Sequence, residues 1–174
     1  MKTKQDFRID AKQKIQSLSP QKREIFSKNI INKLKKYLNQ YQTWCIYFPL
    51  QDEVNISPLI EILRNHNKKI IIPQIKNNEL LPVVYWSFSE TKIWKYWIKE
   101  VISPQIYTWN IDVFVVPWLA FSYKNQIIGR GVWYYDKFLS KYPDWYKIGV
   151  CFPIQIYENL PTDDHDILMN RVLF

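Results

Sequence analysis

The sequence predicts a three-layer α/β/α fold, in which a mainly parallel sheet is covered by helices on both faces. Three observations support this prediction. Short apolar runs typical of buried strands alternate with segments whose apolar residues recur at helical spacing. The apolar fraction, 47%, is ordinary for a globular protein, and no apolar run reaches the length of a membrane span. At 174 residues the chain can bury a core, and we expect one domain over residues 1–174.

Two helices are expected over the first 38 residues. The apolar positions of the first are Phe7, Ala11, Ile15 and Leu18. Ser19 is expected to cap the second helix, because Ser is a good N-cap and Pro20 suits the first helical position. The apolar stripe expected on the second helix is Ile25, Phe26, Ile30, Leu34 and Leu38. Both helices are therefore expected to pack against the core through one face.

Six later segments have the apolar pattern of buried strands. They cover residues 44–48, 69–73, 80–86, 113–116, 147–152 and 171–174. The third is expected to lie near an edge of the sheet. Helical patterns separate the first strand from the second, over residues 56–64, and the fourth from the fifth, from about residue 134 to 142. This alternation predicts a mainly parallel sheet.

The stretch over residues 112–136 combines a buried strand, a polar loop at 122–126, two of the chain's three glycines and a helix start. Gly129, Arg130 and Gly131 precede the helical pattern that begins at Tyr134. Backbone N–H groups at such a turn can be directed at a phosphate, and an Arg adds a forked cation. From the glycines alone, an ordinary turn between a strand and a helix is the more common explanation.

The charge and the cysteines limit the partners and the compartment. The formal net charge of +8 is compatible with nucleic acid, an acidic membrane surface or a polyanionic small molecule. Much of the excess lies between Lys2 and Lys36 on expected helical surfaces, where charge usually serves solubility. We therefore expect neither nucleic acid nor membrane as a partner. Cys45 and Cys151 lie in strand-like runs and are expected to be buried free thiols of a cytoplasmic protein.

A longer pattern resembles the signature of the 5-formyltetrahydrofolate cyclo-ligase family, also called methenyltetrahydrofolate synthetases. That family has a strand ending in P-G-x-A-F, then a loop, then R-L-G-x-G-x-G-Y-Y-D. The positions that match are Pro117, Leu119, Ala120, Phe121, Gly129, Gly131, Tyr134, Tyr135 and Asp136. Further family elements occur in the same order, so the resemblance covers nearly the whole chain.

The resemblance implies an enzyme that uses ATP and Mg²⁺ to convert 5-formyltetrahydrofolate to 5,10-methenyltetrahydrofolate, releasing ADP and phosphate. Lys4 and Arg8 match a K-x-x-x-R element that contacts ATP in the family. The other expected nucleotide contacts are Gly129, Arg130, Gly131, Val132, Trp133, Tyr134 and Tyr135. Arg130 and Tyr134 are the expected catalytic residues. Asp136 and Asp166 are expected to hold Mg²⁺, which usually takes one or two protein carboxylates plus phosphate oxygens and waters.

The expected folate contacts are Glu53 and Tyr134. Residues 51–54, with the sequence Q-D-E-V, match a family element x-x-E-[VI] whose Glu contacts the pterin ring. A carboxylate suits a pterin because it can accept two N–H bonds from the amidine edge of the ring. The resemblance therefore implies a small-molecule folate substrate. We expect the protein to be a monomer.

Several positions depart from the family motif, among them Trp118 at the glycine after Pro117 and Ile128 at its Leu. Ile127 occupies the position of the family's first Arg, and Val132-Trp133 replace its last x-G pair. These changes remove a phosphate-directed cation and place an indole at a glycine position. The alternative hypothesis is therefore a non-catalytic relative that binds folate or nucleotide without turnover. A basic, aromatic-rich protein that binds single-stranded nucleic acid is a third hypothesis.

Overall fold

The computed structural model describes residues 2–86, 91–93, 99–102, 104–131, 134–163 and 166–174. Its α-helices are α1 (Lys4–Ser17), α2 (Pro20–Leu34), α3 (Ser57–Asn65) and α4 (Tyr134–Ser140). Short 3₁₀ turns cover Lys35–Tyr37 and Pro153–Gln155. The strands are β1 (Thr43–Cys45), β2 (Lys69–Lys76), β3 (Glu79–Val84), β4 (Thr91–Ile93), β5 (Lys99–Val101), β6 (Val113–Pro117), β7 (Ala120–Ser122), β8 (Ile127–Ile128), β9 (Tyr146–Val150), β10 (Ile156–Tyr157) and β11 (Arg171–Leu173).

The main sheet within these ranges has six strands in the order β11–β9–β6–β1–β2–β3. Neighbouring strands are parallel except β2 and β3, which form an antiparallel pair at one edge. Trp44 of β1 is in register with Ile70 of β2 on one side and with Val113 of β6 on the other. The predicted mainly parallel α/β fold is confirmed, and the strand expected near an edge lies there.

Both faces of the sheet are covered by apolar residues, because successive side chains of a strand point to opposite faces. Trp44 of β1 joins the core cluster that also contains residues of α1, α2 and α3. Its neighbour Cys45 joins the opposite cluster, which includes Phe114 of β6 and Phe138 of α4. This arrangement gives the three layers expected from the sequence. Cys45 and Cys151 are both buried and free, as predicted.

The second helix begins as predicted, but its buried face differs by one position. Ser19 Oγ accepts a hydrogen bond from the backbone N–H of Lys22 at 3.3 Å, and Pro20 occupies the first turn. Ile30 and Leu34 are buried, but the prediction for Ile25 was wrong, since it is 57% exposed. Leu34 is nine positions after Ile25 in the helix, which places them about 180° apart around the axis. Ile31 is buried instead.

Two smaller sheets surround the main one in the described part of the chain. β7 and β8 form an antiparallel hairpin that β10 extends, and β4 pairs with β5. The polar loop expected at 122–126 is the turn of this hairpin, with Asn125 at φ +60°. Among the described residues, no helix is both long enough and apolar enough to span a bilayer.

Tyr157 of β10 anchors α1, the helix that carries Lys4 and Arg8. The Tyr157 hydroxyl donates a hydrogen bond to Asp10 Oδ2 at 2.5 Å. Lys14 Nζ lies 2.8 Å from the same oxygen and 4.2 Å from the centroid of the Tyr157 ring. Hydrogen bonds from Lys14 and then from Tyr157 hold the pKa of Asp10 below its ordinary value of 3.8.

Replacing Tyr157 by Phe is expected to lower the stability by about 0.5–1 kcal/mol at pH 7, since one charge-assisted hydrogen bond at a partly exposed site is lost. Thermal unfolding followed by circular dichroism should show a Tm lower by about 1–4 °C. A carboxyl group whose pKa is lower in the folded protein stabilises the fold at pH values above its ordinary pKa. This contribution is lost as the pH falls through the pKa of the folded state. The difference should therefore shrink below pH 3.8. Tyr123→Phe, at a ring that is 70% exposed, is the control, and an equal loss there would contradict the prediction.

Candidate active site

Arg130, between its two glycines, turns toward the loop that follows β1. Its Nη1 and Nη2 donate to the two carboxylate oxygens of Asp52 at 2.9 and 2.8 Å. Nη2 also donates to Glu53 Oε1 at 3.0 Å. Arg130 and Asp52 are 78 residues apart in sequence. We call Asp52, Glu53 and Arg130 the Arg130 cluster; it joins the Gly-Arg-Gly loop to the loop that follows β1.

The two acids of the cluster have opposite pKa shifts because they are buried to different extents. Burial raises the pKa of Glu53, whose side chain is 10% exposed, although Arg130 acts in the opposite direction. Burial also opposes ionisation of Asp52, which is 35% exposed, but hydrogen bonds from Arg130 outweigh it and lower its pKa. Adjacent carboxyl groups with opposite shifts in a cleft are typical of functional sites.

Glu53 also lines a small cavity near the carboxyl ends of β1, β2 and β6. Its second oxygen accepts a hydrogen bond from the backbone N–H of Leu50 at 3.0 Å. The cavity has a volume of about 110 Å³ and mostly apolar or aromatic walls. Its lining residues are Tyr47, Phe48, Leu50, Glu53, Ile72, Pro73, Gln74, Ile75, Leu80, Lys99, Glu100, Pro117 and Tyr135. We call it the Glu53 cavity; apolar walls with few polar groups are typical of small-molecule sites.

A second, more polar cavity of about 260 Å³ surrounds Lys4. Its lining residues are Lys4, Arg8, Ile127, Ile128, Gly129, Gly131, Asp136, Asp163 and Asp166. Lys4 Nζ lies 2.8 Å from Asp163 Oδ2 and 2.5 Å from Asp166 Oδ2. Burial opposes the charge on Lys4, but its bonds to these two carboxylates outweigh that effect and raise its pKa. We call this space the Lys4 cavity.

Arg8 and the two glycines form one wall of the Lys4 cavity. Arg8 Nε donates to the carbonyl oxygen of Gly129 at 2.9 Å. Gly131 has φ +85°, a conformation that favours glycine, and a Cβ there would lie 3.6 Å from the Arg8 guanidinium carbon. The Gly-Arg-Gly loop therefore presents its glycine backbone to the Lys4 cavity, while the Arg130 side chain extends to Glu53.

Comparison with known proteins identifies the family. The sequence profile of the 5-formyltetrahydrofolate cyclo-ligase family matches residues 1–174. The chain belongs to this family. The mouse 5-formyltetrahydrofolate cyclo-ligase is 26% identical over 194 residues, covering 98% of this chain and 93% of the mouse protein. A probable 5-formyltetrahydrofolate cyclo-ligase of Schizosaccharomyces pombe is 30% identical over 145 residues, covering 70% and 69% of the two chains.

Solved structures agree with this assignment to the cyclo-ligase family. The Aquifex aeolicus 5,10-methenyltetrahydrofolate synthetase superposes with a TM-score of 0.85 at 27% identity, covering 97% of this chain and 88% of its own. The Mycoplasma pneumoniae 5,10-methenyltetrahydrofolate synthetase, at 22% identity and a TM-score of 0.77, shares the fold over 97% of this chain and 96% of its own. The predicted membership in a ligase family is confirmed.

In this cyclo-ligase family member, the structure sorts the predicted site residues into three groups. Those predicted for ATP and Mg²⁺ that line the Lys4 cavity are Lys4, Arg8, Gly129, Gly131, Asp136 and Asp166. Glu53 and Tyr135 line the Glu53 cavity, and Arg130 contacts Glu53. Tyr134 is partly buried against the apolar cluster that contains Phe138. Val132 and Trp133 lie outside the described residues.

Several residues that line the cavities or contact the predicted site residues carry no prediction from the sequence. Asp52 and Asp163 contact Arg130 and Lys4, respectively, and each lies within three residues of an acid that was predicted. Two acidic residues this close together in a loop indicate that one of the carboxylates forms an ion pair with a nearby cation, and this pattern could have identified Asp52 and Asp163. Lys99 and Glu100 line the Glu53 cavity from β5, and nothing in the local pattern of β5 indicates that role.

The carboxylates of the Lys4 cavity fit a magnesium ion that shares its ligands with phosphates. Asp136, Asp163 and Asp166 line the same space, and Mg²⁺ usually takes only one or two protein carboxylates. Among the residues that the structure describes, no group of three or more His, Cys, Asp or Glu could hold a metal ion by itself. The assignment of Asp136 and Asp166 to Mg²⁺ stays a prediction, and both residues line this cavity.

Proposed function

We propose that this protein catalyses the ATP- and Mg²⁺-dependent cyclisation of 5-formyltetrahydrofolate to 5,10-methenyltetrahydrofolate, with release of ADP and phosphate. One observation carries the proposal. The Arg130 cluster connects the Glu53 cavity to the glycine loop of the Lys4 cavity. The Glu53 cavity has aromatic walls and a buried carboxylate, and the Lys4 cavity is lined by two cations and three acids. The first cavity suits a flat heterocycle with N–H donors, and the second suits a triphosphate.

Glu53 is assigned to the pterin ring of the substrate. Its carboxylate can accept two N–H bonds from the amidine edge, and the backbone of Leu50 and Arg130 hold it in place. Tyr135 and Phe48 line the same cavity with aromatic rings, which suits a flat ligand. Tyr134 remains proposed as a folate and nucleotide contact.

Lys4, Arg8 and the backbone of residues 129–131 are assigned to the phosphates of ATP. Asp136 and Asp166 would hold Mg²⁺, which neutralises charge on the transferred phosphoryl group. In the reaction, the formyl oxygen attacks the γ-phosphorus and ADP leaves. N10 then attacks the activated formyl carbon and loses its proton, and phosphate leaves as the methenyl bridge forms. The work of the protein is positioning and charge neutralisation, in which Arg130 takes part.

We also propose a cytoplasmic monomer whose partner is the folate rather than nucleic acid or membrane. Burial raises the pKa of both Cys45 and Cys151, so neither thiol is easily ionised, and both are free. Buried free thiols are typical of proteins from reducing compartments.

The test is the absorbance of the methenyl product after mixing the wild-type protein with 5-formyltetrahydrofolate and MgATP. Product is expected only when all components are present. Omission of ATP, or chelation of Mg²⁺, should abolish it. Absence of product with every component present would refute the proposed catalysis.

The second candidate function is binding of folate or nucleotide without turnover. Ile127 favours it, because this apolar residue lines the Lys4 cavity where the family has an Arg. Two results together would support this candidate. The wild type would bind both ligands in calorimetry but show no turnover, and the double variant Ile127→Arg with Trp133→Gly would gain turnover. Turnover by the wild type would exclude it.

Replacing Lys4 by Gln is expected to weaken binding of MgATP about tenfold, which is about 1.4 kcal/mol. Lys4 supplies a cation beside Asp163 and Asp166, and its loss removes a positive charge that would face the phosphates. Calorimetric titration with a non-hydrolysable ATP analogue and Mg²⁺ measures the effect. Lys22→Gln, at an exposed position of α2, removes the same charge elsewhere and should leave the affinity unchanged. Equal affinities for both variants would refute the role of Lys4.

A further inference from the structure

Asp52 has no role in the proposed reaction, yet it makes the stronger contact with Arg130. Both of its carboxylate oxygens accept hydrogen bonds from the guanidinium, at 2.8 and 2.9 Å, whereas Glu53 accepts one at 3.0 Å. Paired N–H···O bonds of this kind fix the plane as well as the position of a guanidinium. Asp52 therefore determines where the Arg130 side chain lies relative to Glu53.

The loop that carries Asp52 is itself held in place from two directions. Arg23 Nη1 donates to the carbonyl oxygen of Gln51 at 2.9 Å. The Tyr47 hydroxyl donates to the carbonyl oxygen of Val54 at 2.8 Å, in a buried hydrogen bond. These two contacts bracket Asp52 in sequence. Asp52 is thus a fixed support for Arg130.

The opposite end of Arg130, its backbone, is held from the Lys4 cavity. Arg8 Nε donates to the carbonyl of Gly129, the residue before Arg130, at 2.9 Å. A continuous series of contacts therefore runs from Arg8 through Gly129 and Arg130 to Asp52 and Glu53. It begins in one cavity and ends in the other.

We propose that Asp52 is a positioning residue that couples the two cavities through Arg130, so that nucleotide at the Lys4 cavity strengthens folate binding at Glu53. This inference rests on the proposed function. A triphosphate in the Lys4 cavity binds the Arg8 cation and the N–H groups of residues 129–131. It therefore changes the contact between Arg8 and Gly129 that holds the Arg130 backbone. Because Asp52 holds the guanidinium, that change reaches Glu53. Such coupling is reciprocal between the two ligands.

A purely structural role for Asp52 makes a different prediction. A partly exposed ion pair typically contributes about 0–1 kcal/mol to stability. If that were its whole role, loss of Asp52 would lower the Tm slightly and change both ligand affinities by the same factor or not at all. The ratio of folate affinities with and without nucleotide would stay constant. That ratio is therefore the decisive quantity.

The experiment measures the dissociation constant of 5-formyltetrahydrofolate by calorimetry, with and without a saturating non-hydrolysable ATP analogue and Mg²⁺. For wild type we expect nucleotide to tighten folate binding at least about fivefold, the lower end of typical coupling. Asp52→Asn keeps the shape but loses the charge and one acceptor. In this variant, the ratio of the folate dissociation constants without and with nucleotide should fall to about one. The dissociation constant measured without nucleotide should change less than about threefold. Asp144→Asn, at an exposed site, is the matched control and should keep the wild-type ratio.

A double-mutant cycle tests whether Asp52 acts through Arg130. Arg130→Lys should lose the coupling, because an ammonium group cannot replace the fork, and the double variant should lose no more than either single variant. The inference would be overturned, without affecting the proposed function, if Asp52→Asn kept the ratio of the wild type. A ratio of one in a wild-type protein that binds folate would have the same meaning. If wild type binds no folate at all, the proposed function fails along with the inference.

Discussion

Replacing Glu53 by Gln is expected to weaken binding of 5-formyltetrahydrofolate by about 10²-fold, or about 2.7 kcal/mol. The variant keeps the size of the side chain but loses its charge and one of the two acceptors facing the pterin. Charge-assisted hydrogen bonds to a buried group contribute about 1.5–3 kcal/mol each, which sets this magnitude. Calorimetric titration of the nucleotide-free protein measures it.

The pH dependence of folate affinity provides a second readout for the same variant. Burial raises the pKa of Glu53 above its ordinary value of 4.5, and the ionised form is the one that accepts N–H bonds. Affinity of the wild type should therefore fall as the pH is lowered through this raised value, starting above pH 4.5. Glu53→Gln should lack that component of the pH profile.

The stability of Glu53→Gln separates lost binding from unfolding. The pKa of Glu53 is raised in the folded protein, so its ionised form at neutral pH lowers the free energy of unfolding. Removing the charge therefore removes this destabilising contribution. Arg130 keeps its paired bonds to Asp52, and we expect a Tm within about 2 °C of wild type. Glu61→Gln, at an exposed position of α3, is the control. Unchanged folate affinity in Glu53→Gln would remove Glu53 from the binding site.

Replacing Gly149 by Ala is expected to destabilise the protein by about 3 kcal/mol and to lower the Tm by about 6–12 °C. A Cβ at this position would lie 2.2 Å from Cε1 and 2.8 Å from Cζ of Phe121. Phe121 is fully buried, so its ring cannot move away without disturbing the core. Denaturant unfolding followed by circular dichroism measures the loss. Gly129→Ala is the control, because within the described part of the chain no atom beyond its sequence neighbours lies within 4 Å of its added Cβ.

A compensating change tests the cause of that destabilisation. Phe121→Leu alone should also lower stability, since it leaves a cavity in the core. In the double variant, the smaller side chain at 121 accommodates the added methyl group at 149. The loss should therefore be smaller than the sum of the two single losses. Strictly additive losses would show that the contact between these residues is not responsible.

The sequence indicated the fold because the signals for it are local. Apolar periodicity predicted most of the strands and helices, and Ser19-Pro20 predicted the start of α2. The same local signals were insufficient for Ile25, whose apolar side chain is exposed because it lies opposite Leu34 on the helix. Hydrophobicity by itself does not define which apolar side chains of a helix meet the core.

The family resemblance indicated which segments to expect at the candidate site. It assigned Lys4 and Arg8, which lie four residues apart on α1, and the Gly-Arg-Gly loop before α4 to the nucleotide. Both elements line the Lys4 cavity, together with Asp136 and Asp166. A spacing of this kind depends only on the geometry of one element.

Only the tertiary structure decided which partner each charged group meets. Arg130 contacts Asp52 and Glu53 in the loop after β1, and Lys4 of α1 contacts Asp163 and Asp166, which lie between β10 and β11, so each contact joins elements that are far apart in the sequence. The need for glycine at 149, in β9, likewise arises from Phe121, which lies in β7. Periodicity and spacing describe a single helix or strand, whereas these contacts depend on how separate elements pack, and that is a property of the whole folded chain.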